Sequence, residues 1–409
     1  MRVLVITQYF PPETGGPPNR LSSLVLGCRD AGHDVTVITE KPNHPEGVIW
    51  KDWRGGLIRR GNHHGIPVLY TWVFARPTKT FRTRMLFYLS FMAMAVVATL
   101  RVRGRCDVVL ASSPPLFVGL AGWVASRLKR SRFVFDVRDL WPDVAVAVGE
   151  LREGRALGLA KRLEAFLYAR ADGITAVTRG FCEGIARLAP RNTRILRITN
   201  GTVPDFFARA ESSGFRTRLQ LQGCYVVTYA GNLGVAQGLR HLLDAAEILA
   251  GKDAAVRLVL LGDGPVRESL AAEAARRGLS NLLLLPRVTL EEAAAGMAAS
   301  DALLVPLARH PIYRMFIPSK LFDSMASGKP VLLSVDGEAR EILEQSGGGL
   351  FYPAEDGQAL ADLVLWLKAH PAEAAEMGRR GAAYVRDHFD RRREAARMAA
   401  FLEQVAAGP

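Results

Sequence analysis

The chain has 409 residues and 49% hydrophobic content, enough for two or three domains with buried cores, and its four cysteines form no CxxC pair that would indicate zinc or a disulfide framework. The net charge of +13 lies in the first half, because residues 1–205 carry +14 and the remainder carries −1. This basicity favours an anionic partner, but it does not favour nucleic acid, because no recognition motif of basic and aromatic residues accompanies it.

The first half alternates short apolar runs with helical patterns. The runs are Val3–Ile6, Val35–Ile38, Val108–Ala111, Phe133–Val137 and Ile174–Val177. Strands that are apolar at nearly every position are typical of a parallel sheet covered on both faces, and the helices between them predict a doubly wound α/β domain. The first run begins near Met1 without the basic and then apolar pattern of a signal peptide, so we expect a cytoplasmic protein.

An apolar block, Met85–Leu100, interrupts this series. A membrane-spanning helix needs roughly 20 apolar residues, and a span here would separate strands of one sheet, so we do not expect one. The block is then either a buried core helix or a helix at a membrane surface, beside cations that contact anionic headgroups. The cations that cluster here are Arg76, Lys79, Arg82, Arg84, Arg101, Arg103 and Arg105.

A second series of apolar runs predicts a second domain of the same class. These runs are Tyr225–Ala230, Val256–Leu261, Leu282–Leu285, Ala302–Val305 and Val331–Ser334. Turn formers from Asn200 to Asp205 mark the boundary, and a helical pattern extends from Ala372 to Val405. We therefore predict a first domain at 1–205, a second at 206–385, and a terminal helix at 386–409 that packs back on the first domain.

A glycine turn in the second domain points to an anion. The strand Tyr225–Ala230 is followed by Gly231-Asn232-Leu233-Gly234 and then by a helix. Glycines let a phosphate approach the backbone, and the free amides at a helix start stabilise its charge. The alternative is an ordinary tight turn.

A second motif lies further along the same domain. Pro318 and Ser319 predict the start of a helix that holds Lys320 in its first turn and Asp323 one turn later on the same face. Lys320 would lie near a bound phosphate, and a carboxylate suits a ribose diol. The alternative is a solvated surface pair.

Several further motifs occur in the order of a known family. They are Tyr9–Pro12 with Gly15 and Gly16, Gly32–Val37, Asn200–Gly201, Gly231–Gly234 and Pro318–Lys320. Together they resemble the family 4 glycosyltransferases of the GT-B fold, which implies two Rossmann-like domains that face a cleft. Asp139–Asp143 and Val335–Ala339 resemble the WbuB-like branch of that family, whose members transfer amino-deoxysugars in O-antigen and capsule assembly.

The resemblance implies a retaining transfer of a deoxy or N-acetylated hexose from a nucleotide sugar, which we expect to be UDP-linked. No cofactor is expected, and family members usually need no metal. The donor binds the second domain in this family. The acceptor binds the first domain, and we expect it to be a lipid diphosphate-linked saccharide. The Arg76–Arg105 region would hold the protein peripherally on the inner face of the cell membrane, at an anionic surface where surface polysaccharides are assembled.

The donor site implied by the family pattern lies entirely in the second domain. It comprises Gly231, Asn232, Leu233, Gly234, Gln237, Arg287, Val288, Arg314, Ser319, Lys320, Leu321 and Asp323. The glycine turn would face the diphosphate, Arg287 and Val288 would meet the base, and Asp323 would bind the ribose.

Three positions depart from that pattern. Asn232 and Gln237 stand where the family has an arginine and a lysine, and Met315 replaces the first glutamate of the E-x7-E signature. The cations that remain to neutralise the diphosphate are Lys320, Arg287 and Arg314. We predict that Lys320 stabilises the leaving group, in which case no side-chain base is obligatory.

Acceptor-side candidates lie where strands of the first domain end. Asp139 follows the strand Phe133–Val137, where ligands of open α/β sheets bind, and it is predicted to orient the acceptor hydroxyl. Arg138, Glu13, Gly15 and Gly16 are the other predicted acceptor contacts. Alternatively, Asp136, Arg138 and Asp139 form a structural ion pair. The paired histidines His63 and His64 lack a placed carboxylate, so we expect no metal there.

Two other functions compete with glycosyl transfer. A sugar-nucleotide epimerase would share the fold but would need acid and base side chains around the nucleotide. A catalytically silent scaffold of a glycan assembly complex is suggested by Asn232, Gln237 and Met315. Turnover of a donor separates the scaffold from an enzyme.

Overall fold

The chain folds into two α/β units in a computed structural model that describes residues 1–44, 46–77, 80–147, 154–210 and 214–408. The first unit is Met1–Asn200 with the segment from Arg391, and the second is Gly201–Asp390. Strands of the first unit are β1 (Arg2–Thr7), β2 (Asp34–Glu40), β3 (Ile58–His63), β4 (Ile66–Thr71), β5 (Val108–Ser113), β6 (Arg132–Val137), β7 (Gly173–Ala176) and β8 (Arg194–Arg197). Its helices are α1 (Gly16–Asp30), α2 (Phe81–Arg101), α3 (Phe117–Lys129), α4 (Asp143–Ala147), α5 (Arg155–Arg170) and α6 (Arg179–Ala186).

The first sheet contains the five predicted strands and three that the apolar pattern did not predict. Its order is β3-β4-β2-β1-β5-β6-β7-β8, and the β3–β4 hairpin at one edge is antiparallel while the other pairs are parallel. β3 carries Arg59 and Arg60 and is largely exposed, so it has no apolar run that a sequence pattern could detect. The carboxyl ends of β1, β2, β5 and β6 meet at one edge of this sheet.

The second unit has a six-stranded parallel sheet. Its helices up to the last strand are α7 (Pro204–Ala208), α8 (Phe215–Arg218), α9 (His241–Lys252), α10 (Arg267–Arg276), α11 (Leu290–Ala298), α12 (Ser319–Ala326) and α13 (Glu338–Ser346), followed by α14 (Gly357–Ala369) and α15 (Pro371–His388). Its strands are β9 (Tyr225–Ala230), β10 (Val256–Leu261), β11 (Leu282–Leu285), β12 (Ala302–Val305), β13 (Val331–Leu333) and β14 (Gly349–Phe351), in the order β11-β10-β9-β12-β13-β14. The order reverses between β9 and β12, and such a switch point is where open α/β sheets bind ligands.

The boundary near residue 205 lies earlier in the structure, after Asn200. The Thr202 backbone N–H donates to the Phe389 carbonyl at 2.9 Å, and Thr202 also pairs with Asp390 as an isolated bridge. α7, which begins at Pro204, packs against α12 and α15. These contacts hold the segment from residue 201 in the second unit.

The predicted terminal helix is two helices in the structure, because α15 ends at His388 and α16 (Arg391–Ala406) begins after a two-residue break. α16 belongs to the first unit and packs against α1. A Cβ on Gly27 would lie 2.4 Å from the Cβ of Ala395, so the two helices approach to backbone distance there. The second unit therefore ends at residue 390, whereas the predicted second domain ended at residue 385.

Helix α2 lies between β4 and β5 of one sheet and packs on α3. Its buried residues are Phe91, Ala95, Ala98 and Thr99, whereas Leu86, Leu89, Ala93, Val97 and Leu100 form an exposed apolar stripe at helical spacing on another face. Among the described residues it is the helix whose length and hydropathy would suit a membrane span, and 22% of that window is buried. Of the two alternatives, a core helix buried on all sides is therefore excluded by this outer face, whereas core packing on one face and exposure on another occur together. Lys79 of the basic cluster lies outside the described residues.

Candidate functional site

The predicted anion-binding turn follows β9, at the switch point of the second sheet. Gly231 has φ of 148°, and a Cβ on it would lie 2.8 Å from the Lys320 Nζ. A Cβ on Gly262, in the neighbouring turn after β10, would lie 1.9 Å from the Gly231 carbonyl oxygen. Gly231 therefore needs glycine for its φ and Gly262 for its close approach to the backbone, and the first turn lies beside the Lys320 ammonium group.

Lys320 is the second residue of α12, in the first turn as predicted. Its Nζ donates to the Tyr229 Oη at 2.5 Å and lies 4.1 Å from the centroid of that ring. The Tyr229 hydroxyl donates in turn to the Asn232 carbonyl at 2.5 Å. Burial lowers the pKa of Lys320 to about 7, and the nearby Asp323 carboxylate opposes that shift. The ammonium group is therefore poorly solvated, so an anion bound at the turn would stabilise its charged form.

Asp323 lies one turn after Lys320 on α12. Its Oδ1 accepts a hydrogen bond from the Oγ1 of the buried Thr202 at 2.6 Å. The alternative of a solvated Lys320–Asp323 surface pair is therefore wrong, since both side chains are partly buried and contact other groups. A carboxylate can accept several hydrogen bonds, so the contact to Thr202 is compatible with a ribose hydroxyl.

Three predicted donor residues have side chains engaged in the fold. The side chains of Leu233 and Leu321 are fully buried, and their backbone N–H groups already donate to carbonyls. The Gln237 Oε1 accepts from the Gly234 N–H at 3.1 Å and so closes the 3-10 turn Val235–Gln237. The donor contacts predicted for the two leucines are corrected accordingly: the turn and helix geometry points their side chains into the core.

The remaining donor candidates lie at the surface of the second unit. Arg287 is exposed and Val288 is partly buried, both just after β11. Arg314 is exposed and pairs with Asp336 at 3.2 Å, so a diphosphate would compete with that carboxylate for it. Asn232 is exposed in the turn, and Ser319 is the first residue of α12. Lys320 is thus the predicted cation whose surroundings most favour an anion.

Gly15 and Gly16 lie where the loop after β1 enters α1. Gly15 precedes the helix with φ of 137°, a conformation that side chains rarely adopt. Across the described ranges, no heavy atom comes within 4 Å of the position a Cβ on Gly15 would take. The start of α1 is therefore accessible next to the carboxyl end of β1.

Glu13 has a different partner from the predicted one. It is 4% exposed, and its Oε1 accepts from the backbone N–H groups of Asn43 and His44 at 2.7 and 2.9 Å. This oxygen stabilises the loop after β2. The prediction of an acceptor contact at Glu13 is therefore corrected to a role in loop packing.

The direct salt bridge of Asp136 is with Arg20, whereas Arg138 interacts electrostatically with both Asp136 and Asp139, the other members of the alternative ion pair. Asp136 is fully buried and receives both terminal nitrogens of Arg20, at 2.6 and 3.0 Å. Ser112 and Thr175 donate to the same carboxylate at 2.6 and 2.8 Å. Although burial opposes it, Arg20, the Ser112 hydroxyl and the nearby Arg138 lower the pKa of Asp136. Arg20 ties α1 to the sheet, and sequence reasoning missed it because the partners lie 116 positions apart.

Arg138 and Asp139 directly follow the last residue of β6. The Arg138 Nε donates to the Ser113 carbonyl at 2.8 Å, and burial lowers the pKa of Arg138 to about 10. Asp139 is partly exposed, and burial of its carboxyl group raises its pKa to about 6 while Arg138 opposes the shift. A carboxyl that titrates near neutrality can hold or release the proton of a hydroxyl group.

Of the paired histidines, His63 packs in the fold and His64 is exposed. His63 contacts the Ser22 hydroxyl through Nε2 at 2.7 Å, and burial lowers its pKa. Within the part of the chain that the structure describes, no three His, Cys, Asp or Glu residues are grouped to hold a metal. Tyr229 is the site residue that sequence reasoning missed in the second unit, because a tyrosine inside an apolar strand carries no distinguishing pattern.

Comparison with known proteins identifies the family. A family described as "Glycosyl transferase 4-like domain" matches residues 15–201, and one described as "Glycosyl transferases group 1" matches residues 224–370. The probable glycosyltransferase WbjE of Pseudomonas aeruginosa is 28% identical over 66% of this chain and 68% of its own length. The putative colanic acid biosynthesis glycosyl transferase WcaI of Escherichia coli is 22% identical over 82% of this chain and 84% of its own.

A solved structure with the same fold is HepE of Anabaena in complex with UDP-glucose, with a TM-score of 0.73 and 19% identity over 99% of this chain and 100% of that one. The likeness extends over both units and both sheets. Since the two matched families together span most of the sequence, this chain is a glycosyltransferase of the family 4 type with the GT-B fold.

Proposed function

We propose that this chain is a retaining glycosyltransferase that moves a deoxy or N-acetylated hexose from a UDP-linked donor to a lipid diphosphate-linked saccharide during cell-surface polysaccharide assembly. The observation that carries the donor half is the contact of Lys320 with Tyr229 beneath the Gly231 turn, at the switch point of the second sheet. The relative named for colanic acid biosynthesis supports the polysaccharide, and the HepE complex supports a UDP sugar.

The donor diphosphate binds at the turn, with its charge opposite Lys320. In water the two phosphates are solvated, whereas here a partly desolvated ammonium group faces them, so their interaction is stronger than at the surface. The charge on the β-phosphate grows as the bond to the sugar breaks. Lys320 therefore stabilises the transition state more than the bound donor, which is what accelerates the reaction.

Transfer with retention follows from attack on the face that the diphosphate leaves. The bond from the anomeric carbon to the β-phosphate oxygen breaks as the acceptor oxygen bonds to that carbon. The acceptor hydroxyl proton passes to a departing phosphate oxygen, so charge and atoms balance without a protein nucleophile. Asp139 orients the acceptor hydroxyl by accepting a hydrogen bond from it. The ionised carboxylate does this best, and it forms above the raised pKa of about 6.

The surface of α2 supports a peripheral membrane location. The apolar stripe has side-chain exposures from 39% at Leu89 to 67% at Leu100, and exposed arginines flank both ends of the helix. Each cation near an anionic surface adds on the order of 1 kcal/mol to binding. An anionic bilayer thus complements both the stripe and the charges, and it brings the protein to lipid-linked acceptors.

Two experiments test the proposal. The transfer assay supplies UDP-linked and GDP-linked sugars with a synthetic polyprenyl-diphosphate saccharide and follows nucleotide release and the anomeric configuration of the product. We expect turnover of a UDP sugar with retention. Turnover of a GDP sugar alone would change the donor, and inversion would contradict the mechanism.

The membrane assay compares flotation with vesicles of neutral lipid and vesicles that contain anionic phosphatidylglycerol. Leu86→Glu and Val97→Glu should release the protein from anionic vesicles. Leu159→Glu is the matched control, since that leucine is 65% exposed on α5, outside the stripe. Equal loss for all three variants would argue against the α2 surface.

The silent scaffold predicts no turnover of any donor, so the transfer assay also decides that alternative. An epimerase is disfavoured by His241, the histidine that follows the glycine turn. Its Nδ1 contacts the Gly238 carbonyl at 2.7 Å and its Nε2 contacts the Tyr352 hydroxyl at 3.1 Å, so it serves the fold.

A further inference from the structure

A group of buried polar side chains lies at the carboxyl ends of β1, β2 and β6 in the first unit. We call it the Tyr9 cluster, and it consists of Gln8, Tyr9, Glu40 and Arg138. Gln8, Glu40 and Arg138 are 0%, 3% and 7% exposed. Among the residues that the structure describes, both amide atoms of Gln8, the Glu40 Oε2 and the Arg138 Nη2 have no hydrogen-bond partner.

A buried polar atom without a hydrogen-bond partner destabilises the fold, because it has lost its hydrogen bonds to water and formed none within the protein. The contrast with Asp136, which immediately precedes this end of β6, is informative. Asp136 is equally buried, yet its carboxylate accepts from Arg20, Ser112 and Thr175. A buried carboxylate with a purely structural role is thus fully hydrogen-bonded in this chain. The atoms without partners in the Tyr9 cluster lie instead at the edge where α/β sheets bind ligands.

Tyr9 lies among these groups. It is partly buried and interacts electrostatically with Glu40, Glu13 and Arg138. Since Tyr9 is the partly exposed member, an outward turn of its side chain would open the cluster to a ligand. The partly exposed Asp139 follows Arg138 in sequence and interacts with it electrostatically.

The chemistry of the cluster suits hydroxyl groups. Gln8 offers a donor and an acceptor, Arg138 offers a donor, and Glu40 offers a carboxyl oxygen. Burial, together with the nearby Glu13, raises the pKa of Glu40, and the side chains of Asn43 and Gln8 offset part of that shift. A neutral carboxyl both donates and accepts, as does each hydroxyl of a sugar.

The cluster also adjoins helix α2. Tyr88 of α2 interacts electrostatically with Tyr9, so the cluster lies next to the helix that carries the apolar stripe. An acceptor whose lipid remains in the bilayer could thus present its sugar to this edge of the sheet.

We propose that Gln8, Glu40 and Arg138 bind the hydroxyl groups of a neutral hexose at the reactive end of the acceptor, and that Tyr9 covers them in the free protein. This inference rests on the proposed function and names the class of acceptor sugar. It makes these residues determinants of acceptor specificity.

The first test measures binding of octyl glucoside, octyl galactoside and octyl mannoside, with octyl glucuronide as the anionic comparison, by ligand-observed NMR below their micelle concentrations. At least one neutral glycoside should bind more tightly than the glucuronide. Gln8→Leu and Glu40→Ala should each weaken that binding roughly 10- to 100-fold, as expected for one or two lost buried hydrogen bonds. Glu40→Gln, which stays neutral and can hydrogen bond, should remain within about threefold of the wild type.

The second test uses pH. Glycoside binding should weaken as the pH rises through the raised pKa of Glu40, and Glu40→Gln should remove that dependence. Glu164→Gln is the matched control, because burial also raises the pKa of that carboxyl, to about 7, on α5 against Tyr168. It should bind like the wild type.

Binding of no neutral glycoside, or binding that Gln8→Leu and Glu40→Ala both leave unchanged, would overturn the inference. Calorimetry with UDP-glucose on the same variants separates this outcome from failure of the proposed function. Intact donor binding with unchanged glycoside binding refutes the Tyr9 cluster alone, whereas loss of nucleotide-sugar binding and turnover in the wild type refutes the donor assignment.

Discussion

Lys320 should take up a proton when the nucleotide sugar binds. Its pKa of about 7 in the free protein means that about half of the molecules carry a neutral amine at pH 7. A diphosphate at the Gly231 turn favours the charged form, so binding of a UDP sugar should absorb about half a proton at pH 7 and close to one at pH 8.5. At pH 5.5 the uptake should vanish because the amine is already protonated.

Calorimetry in buffers of different ionisation enthalpy measures this uptake directly. The ligand should be UDP-glucose, whose diphosphate has no ionisation near neutrality, instead of UDP. Lys320→Arg should bind without uptake, since a guanidinium stays charged. Lys320→Met should lose a charge-assisted hydrogen bond worth about 1.5–3 kcal/mol, which weakens binding roughly 10- to 150-fold.

The same shift affects stability. Because the folded state lowers the pKa of Lys320, the unfolded chain binds more protons between pH 7 and the ordinary lysine pKa, so the free energy of unfolding should rise with pH in that window. Lys320→Met should flatten the rise. Zero proton uptake by the wild type at pH 8.5, despite tight binding, would refute the assigned role of Lys320.

Two further predictions concern the framework of each unit. Arg20→Met should lower the free energy of unfolding by about 3–5 kcal/mol, because it leaves the carboxylate of Asp136 buried without its cation, and urea denaturation would measure this. A loss below about 1 kcal/mol would contradict the structural role of the pair. Gly231→Ala should weaken UDP-glucose binding, because a side chain at φ of 148° strains the turn and its Cβ would push the Lys320 ammonium group aside, whereas Gly251→Ala, in open space on α9, should bind normally. Normal binding of UDP-glucose by Gly231→Ala would show that the diphosphate does not approach the backbone closely at this turn.

Much of the secondary structure followed from local patterns. All ten predicted strands are present, because burial on both faces of a parallel sheet demands apolar residues at nearly every position. β3, β4 and β8 in the first unit and β14 in the second escaped prediction. β3 and β8 are largely polar or partly exposed, and β14 has only three residues, so their strand conformation depends on neighbours in the sheet.

Some features of the candidate site could likewise be predicted from local sequence, and others could not. The Gly231 turn and the position of Lys320 in the first turn of a helix are local features, and the sequence predicted both. The contact of Lys320 with Tyr229 joins residues 91 positions apart, and no local pattern announced it. The family pattern also assigned Leu233 and Leu321 to the donor, and only helix and turn geometry revealed that their side chains point into the core.

By itself, then, the sequence determined the two α/β domains, the glycine turn after β9 and the basic character of the first half, because each depends on residues close together in the chain. Tertiary structure alone decided that Arg20 pairs with Asp136, that α16 packs on α1 and that the apolar stripe of α2 is exposed. The physical reason is that periodicity and turn chemistry are short-range, whereas the burial and partner of a side chain depend on which distant segments pack around it.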